Sequence, residues 1–225
     1  MTNIINNAEN NDEIIEDLGN GFKIIQSNTT FKFGTDAVLL AEFANPHKNE
    51  VVCDLGTGTG IIPILLVAHQ NEIKVTAVEI DEYIAKKAEK SIALNNLSDK
   101  IEVINEDINK LALEREKYSL VTINPPYSAK GSGIQSENQK VSNARHELTA
   151  SLKDFITVGA KLLKFGGRMC MVHKPQRLSD IICFMRENKI EPKKLKLITS
   201  PNKKSPSLIL IEGKKGAGVE LKIIL

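Results

Sequence analysis

The apolar run Val51-Val52-Cys53-Asp54-Leu55 leads straight into Gly56-Thr57-Gly58-Thr59-Gly60, and residues 61–69 continue as an apolar helix. Few folds accept this succession. The run has the length and character of a strand buried on both faces. The glycines let the backbone take angles barred to other residues and pass close to a ligand, and Pro63 is tolerated in the first turn of a helix. Strand, glycine-rich turn and helix open a nucleotide-binding βαβ unit.

The same alternation fills the rest of the chain. Residues 74–79 form an expected strand ending at Glu79, residues 82–95 a helix, and residues 101–105 a short strand ending at Glu106-Asp107-Ile108. A further strand over 118–123 stops at Asn124-Pro125-Pro126-Tyr127, because neither proline has an N–H for a sheet ladder. Residues 151–164 read as an amphipathic helix closed by Gly166-Gly167, 168–173 as a strand and 176–188 as a helix. The strands expected at 193–199 and 207–212 are joined by too few residues for a crossover, so they pair antiparallel. The expected fold class is α/β: a seven-stranded, mostly parallel sheet with a C-terminal antiparallel hairpin and helices on both faces. Residues 1–20, with five acids, no bases and many Asn, read as a flexible arm. Residues 21–225 form one domain, with a cofactor half at about 31–127 and a mobile substrate loop at 128–150.

Ligands of open α/β sheets bind beyond the carboxyl ends of the strands. That edge gathers the glycine turn, Glu79, Asp107 and Asn124 to Tyr127. A carboxylate placed as Glu79 is, 19 residues past Gly60, accepts ribose hydroxyls. The glycines fit neither the dinucleotide spacing nor a phosphate loop, since Gly60 is followed by Ile61-Ile62.

Asp54-x-Gly56-x-Gly58-x-Gly60 resembles motif I of the class I S-adenosylmethionine-dependent methyltransferases. The resemblance implies S-adenosylmethionine as cofactor, glycines against its methionine part, Glu79 at the ribose and Asp107 at the adenine. Asn124-Pro125-Pro126-Tyr127 resembles the motif of methyltransferases acting on planar nitrogens. Such a nitrogen is a poor nucleophile because its lone pair is delocalised. Acceptors at Asn124 and the Pro125 carbonyl, aimed at its two hydrogens, favour the pyramidal form as charge develops, and Tyr127 stacks on the substrate plane.

With Phe33-Gly34-Thr35-Asp36-Ala37-Val38-Leu39-Leu40, Ala144-Arg145-His146-Glu147 and Val172-His173-Lys174-Pro175, the chain resembles the bacterial tRNA1(Val) adenine-37 N6-methyltransferase family over roughly residues 12–220. That implies a partner tRNA methylated in its anticodon loop, and Gly34, Thr35 and Asp36 closing the cofactor pocket. Charge agrees: residues 1–139 carry net −9 and residues 140–225 net +11, a split that suits a polyanion on the C-terminal part. Arg145, His146, His173, Lys174, Lys203 and Lys204 are the candidate RNA contacts. Lys193, Lys194, Lys196, Lys214 and Lys215 are available to widen that surface.

A glutamine N5-methyltransferase of proteins, a DNA adenine N6-methyltransferase and a non-catalytic RNA-binding protein are the competing readings. The first usually carries a helical domain that the 50 residues before Val51 are too few to build. No metal is called for, since Cys53, Cys170 and Cys183 show no paired spacing. No apolar run reaches the roughly 18 residues of a membrane span. The expected setting is the reduced cytoplasm.

Overall fold

The computed structural model describes residues 13–27, 34–127, 150–199 and 204–224. In chain order its main elements are β1 (Glu13–Gly19), β2 (Phe22–Ser27), α1 (Thr35–Ala44), β3 (Val51–Leu55), α2 (Ile61–His69), β4 (Lys74–Glu79), α3 (Glu82–Leu94), β5 (Ile101–Asn105) and β6 (Tyr118–Ile123). Then come α4 (Leu152–Leu162), β7 (Leu163–His173), α5 (Leu178–Glu187), β8 (Ile190–Ile198), β9 (Leu208–Lys215) and β10 (Lys222–Ile224). The central sheet runs β10-β8-β9-β7-β6-β3-β4-β5. From β7 to β5 every pairing is parallel, whereas β9 is antiparallel to both β7 and β8.

Each face of the sheet carries its own core. On one side Ala37, Leu40, Ile64, Leu66 and Ile92 of α1 to α3 pack with Val52, Val75 and Leu120. On the other, Phe155, Ile156, Ile181 and Met185 of α4 and α5 pack with Cys53, Leu55, Val121 and Ile123. Alternate residues of β3 and β6 therefore feed opposite cores, and the central strands are apolar on both faces. This is the expected α/β architecture, with three local departures.

The sheet has eight strands, because β10 adds a parallel edge beside β8. The arm expected over residues 1–20 is in part a strand, since residues 13–19 pair with β2; residues 1–12 lie outside the described residues. The β-branched pair Ile14-Ile15 and the turn Gly19-Asn20-Gly21 override the acidic composition. That hairpin is fastened to α3: the Lys23 N–H donates to Asn95 Oδ1 (2.8 Å) and the Ile25 N–H to Ser91 Oγ (3.0 Å). Finally, β7 begins at Leu163, so Gly166-Gly167 lie within a strand instead of ending a helix.

At the amino-terminal edge of the sheet, Arg168 joins three elements. Its guanidinium donates to Glu50 (2.9 Å), Glu212 (3.0 Å) and the Ala44 carbonyl (2.8 Å). All three charged side chains are largely buried, so among the described residues removing the cation leaves Glu50 buried beside His47 alone and Glu212 with only the half-exposed Lys194. Arg168→Ala is expected to lower unfolding free energy by about 3 kcal/mol, read from urea denaturation. A loss below about 1 kcal/mol would mean the network is solvated like a surface pair.

Candidate active site

The register of the parallel strands aligns the carboxyl-terminal edge. Asp54 and Leu55 of β3 sit opposite Ala77 and Val78 of β4, and opposite Thr122 and Ile123 of β6. Glu79 faces Asn105 on β5. One step beyond this line lie Gly56, Glu106-Asp107 and Asn124. The turn is tied across the strands: the Gly56 and Thr57 N–H groups both donate to the Val78 carbonyl at 2.9 Å, and the Gly58 N–H donates to Glu79 Oε2 at 2.9 Å.

The three glycines of the turn all hold positive φ (74°, 58° and 86°) but serve different ends. A Cβ on Gly60 would press to 3.3 Å from Ala88 of α3, and one on Gly56 to 3.3 Å from Phe155 of α4. A Cβ on Gly58 would meet nothing within 4 Å. Gly58 thus faces the open side of the edge, while the other two bring helices close.

Two carboxylates are buried behind this turn. Asp54 is fully enclosed, and its Oδ1 accepts the Thr122 hydroxyl at 2.5 Å. Burial pushes Asp54 up to about 6, opposed by the Thr122 and Thr57 hydroxyls and assisted by the Glu79 charge. Glu79 is also raised by burial, against hydrogen bonds from the Asp81 and Gly58 backbone. Among the described residues, Asp54 Oδ2 and Thr57 Oγ1 are the buried side-chain polar atoms without a hydrogen-bonding partner. The Thr57 dipole favours ionised Asp54 without reaching bonding geometry. Such orphaned acceptors beside a glycine turn suit a cationic, hydrogen-bond-donating ligand.

Asn124 and Tyr127 stand at the tip of β6, with Pro125 buried and Pro126 exposed. The Tyr127 hydroxyl lies 2.5 Å from Asp36 Oδ2 and 3.0 Å from Asn124 Oδ1. Burial first, and then Asp36, raise the Tyr127 hydroxyl well above its ordinary value. Edge-on to its ring at 5.3 Å is His173, and Lys174 Nζ sits 4.8 Å from the ring centroid. His173 is 2 % exposed. Its Nδ1 accepts the Lys174 N–H at 2.8 Å, so in the neutral ring the proton is on Nε2. Burial lowers its pKa and favours that neutral form.

Gly34, Thr35 and Asp36 start α1, with Gly34 as N-cap; Asp36 turns to Tyr127 and the Ala37 N–H. Asp107 caps a short 3₁₀ turn through the Asn109 N–H. Arg145, His146, Lys203 and the loop 128–149 lie outside the described residues. Lys204 begins the final approach to β9, and since His173 pairs with Ile209 it stands near the same edge. Lys214 and Lys215 pair with Arg168 and Ile190 at the opposite edge, and Lys215 is bound to Glu116 and two carbonyls. Sequence reasoning overlooked Thr122 and Thr57. A hydroxyl two residues before Asn124, inside an otherwise apolar strand, was the available signal.

The model of the methyltransferase small domain matches residues 23–186. A tRNA1(Val) (adenine(37)-N6)-methyltransferase of Histophilus somni is 33% identical over 153 residues, covering 67% of this chain and 64% of that protein. The chain thus spans just under two thirds of that relative. The protein of the same name from Parabacteroides distasonis is 29% identical over 192 residues, covering 85% of this chain and 80% of its own length. Among solved structures, a predicted O-methyltransferase of Agrobacterium tumefaciens superposes with TM-score 0.68 at 22% identity, covering 84% of both chains. TYW2 of M. jannaschii in complex with AdoMet gives 0.63 at 14%, over 92% and 88%. These structures share the fold, and the sequence relatives bear out the resemblance read from the motifs.

The orphaned acid has a measurable consequence. With a folded value of about 6 against 3.8 ordinarily, Asp54 holds its proton more tightly in the folded state. Its contribution to stability is therefore full below pH 4 and lost as pH rises through 6, a change of about 3 kcal/mol. Asp54→Asn removes that slope. Urea titrations without added ligand should show the variant gaining on the parent between pH 4 and 7, and parallel profiles would contradict a buried ionisable Asp54.

Proposed function

This chain belongs to the methyltransferase small domain family, and on that premise we propose that it transfers a methyl group from S-adenosylmethionine to the exocyclic N6 of an adenine in tRNA, at position 37 beside the anticodon. The observation that carries the reading is the alignment of Asn124 with the Asp54, Gly58 and Glu79 pocket along one strand edge.

The pocket suits the cofactor by charge. S-adenosylmethionine brings a sulfonium, an ammonium and two ribose hydroxyls. The edge offers two buried carboxylates that pair with no cation among the described residues. Asp54 and Thr57, enclosed behind the turn, favour the ammonium end through their charge and dipole and not by direct contact. Glu79, already accepting the Gly58 and Asp81 N–H groups, has lone pairs left for the ribose. Asp107 stands past β5 for the adenine amino group, and Gly58 gives the backbone clearance. When bound, the cofactor supplies an electrophilic methyl carbon; the chain supplies position and polarity.

At the acceptor, the Asn124 amide oxygen and the Pro125 carbonyl take the two N6 hydrogens. They strengthen as the nitrogen loses its conjugation, which puts their contribution in the transition state. The two prolines fix the Pro125 carbonyl, so little backbone ordering remains when the base arrives. Tyr127 offers a ring face, and position 37 is unpaired, so little unstacking is needed. Lys174, exposed on a long flexible stem over that ring, can move to a neighbouring phosphate, with Lys204 on the same edge. Arg145, His146 and Lys203 complete the proposed RNA-facing set; His173, expected there from the sequence, is instead buried behind the Tyr127 ring and supports it. The setting is the cytoplasm; among the described residues no helix is long and apolar enough to cross a membrane.

Single-turnover transfer from labelled cofactor to tRNA tests the assignment of Asn124. Asn124→Ala should lower the rate by roughly 100- to 1,000-fold, as loss of one preorganised polar group does, with cofactor affinity unchanged. Retained transfer would sink the mechanism. Lys174→Ala should weaken RNA binding and reduce the salt slope by about 1, and an unchanged slope would remove Lys174 from the RNA contacts.

A further inference from the structure

The contacts of Tyr127 contain a proton shortage. Its hydroxyl has one hydrogen, yet it sits 2.5 Å from a carboxylate oxygen of Asp36 and 3.0 Å from the amide oxygen of Asn124. Only one of these acceptors can receive it. The Asp36 contact is much the shorter of the two, so the hydroxyl donates its proton there. The second contact would then set a phenol lone pair against the amide oxygen. Turning the Asn124 amide end for end removes the conflict, because Nδ2 then donates to Tyr127 Oη. An amide's orientation is fixed by such bonding and not by its shape.

We infer that Asp36 is a positioning residue: by holding the single Tyr127 proton it makes the phenol oxygen an acceptor for Asn124 Nδ2, and so frees Asn124 Oδ1 to face the methyl-accepting nitrogen. The chain of groups is anchored at both ends. Asp36 is 9 % exposed, and its other oxygen accepts the Ala37 N–H at 2.9 Å in the first turn of α1. Asn124 is fixed by Pro125 at the end of β6. The ring between them is held by His173 and Lys174. The segment before motif I thereby acts on the acceptor side of the reaction, in place of the cofactor contact expected of Asp36.

This inference deepens the proposed methyl transfer and rests on it for one arm of its test. Without Asp36 the Tyr127 proton turns to Asn124 Oδ1 and holds the amide the wrong way round. Asp36→Ala should therefore cut kcat by roughly 100-fold, with little change in KM for cofactor or RNA. The double variant Asp36→Ala/Tyr127→Phe should be faster than Asp36→Ala alone, by at least about fivefold for groups coupled this way. Loss of a helix-start contact would not be relieved by removing a phenol. A double variant as slow as Asp36→Ala, or slower, overturns the inference.

The second arm needs no substrate. In ¹⁵N-asparagine-labelled protein, the Asn124 side-chain amide, assigned by its loss in Asn124→Ser, should show one N–H protected from exchange in the parent. That protection should vanish in both Asp36→Ala and Tyr127→Phe. Protection that survives in Asp36→Ala refutes the inference. If the amide behaves as stated while the parent methylates no RNA, the substrate reading fails and the positioning role stands.

Discussion

The hydrogen-bonded register of β3 against β4 and β6 is the constraint from which the site follows. Pairing Leu55 with Val78 and Ile123 places motif I, Glu79 and Asn124 at one level, though they are separated by tens of residues in the chain. A slip of one residue in any of these strands would send Asp54 or Asn124 to the wrong face. The register is held by burial on both faces of the strands and by the Thr122–Asp54 bond, which joins two motifs inside the sheet. The prolines then stop β6 at the height where the others end.

Electrostatics distinguishes the two edges of the sheet. Asp54 and Glu79 are costly as buried anions, and the fold tolerates them with hydrogen bonds and not with cations. A cationic donor entering there recovers part of that cost. At the amino-terminal edge the same sheet treats its buried acids differently, giving Glu50 and Glu212 a shared arginine. One edge pairs its acids with an arginine, and the other, among the described residues, holds them on hydrogen bonds alone.

Much of this was legible in the sequence, because the signals are local. Apolar runs, a glycine turn and a proline stop declare themselves within a few residues: strand ends mark Glu79 and Asn124, and the resemblance to motif I marks Asp54. What escaped reading depends on partners distant in sequence. Residues 13–19 were judged on acidic composition, and only the pairing with β2 and the anchor on α3 reveal a strand. β10 is three residues long and has no pattern of its own. The bond of Asp36 to Tyr127 has no sign in its motif, and Thr122 reads as part of an apolar run. The bond of Asp36 to Tyr127 spans 91 residues, and that of Thr122 to Asp54 spans 68. The lysines divide in the same way: composition marks them as a basic third, and register sorts Lys204 to the ligand edge and Lys215 to the far one.

The proposed reaction brings a planar nitrogen of tRNA to the cofactor at the tip of β6. Its most direct test is to incubate the full chain with labelled S-adenosylmethionine and total tRNA, protein and DNA together, then map the labelled product. The account predicts label in tRNA as N6-methyladenosine at position 37. Label in protein or DNA, or at another nucleotide, would contradict it.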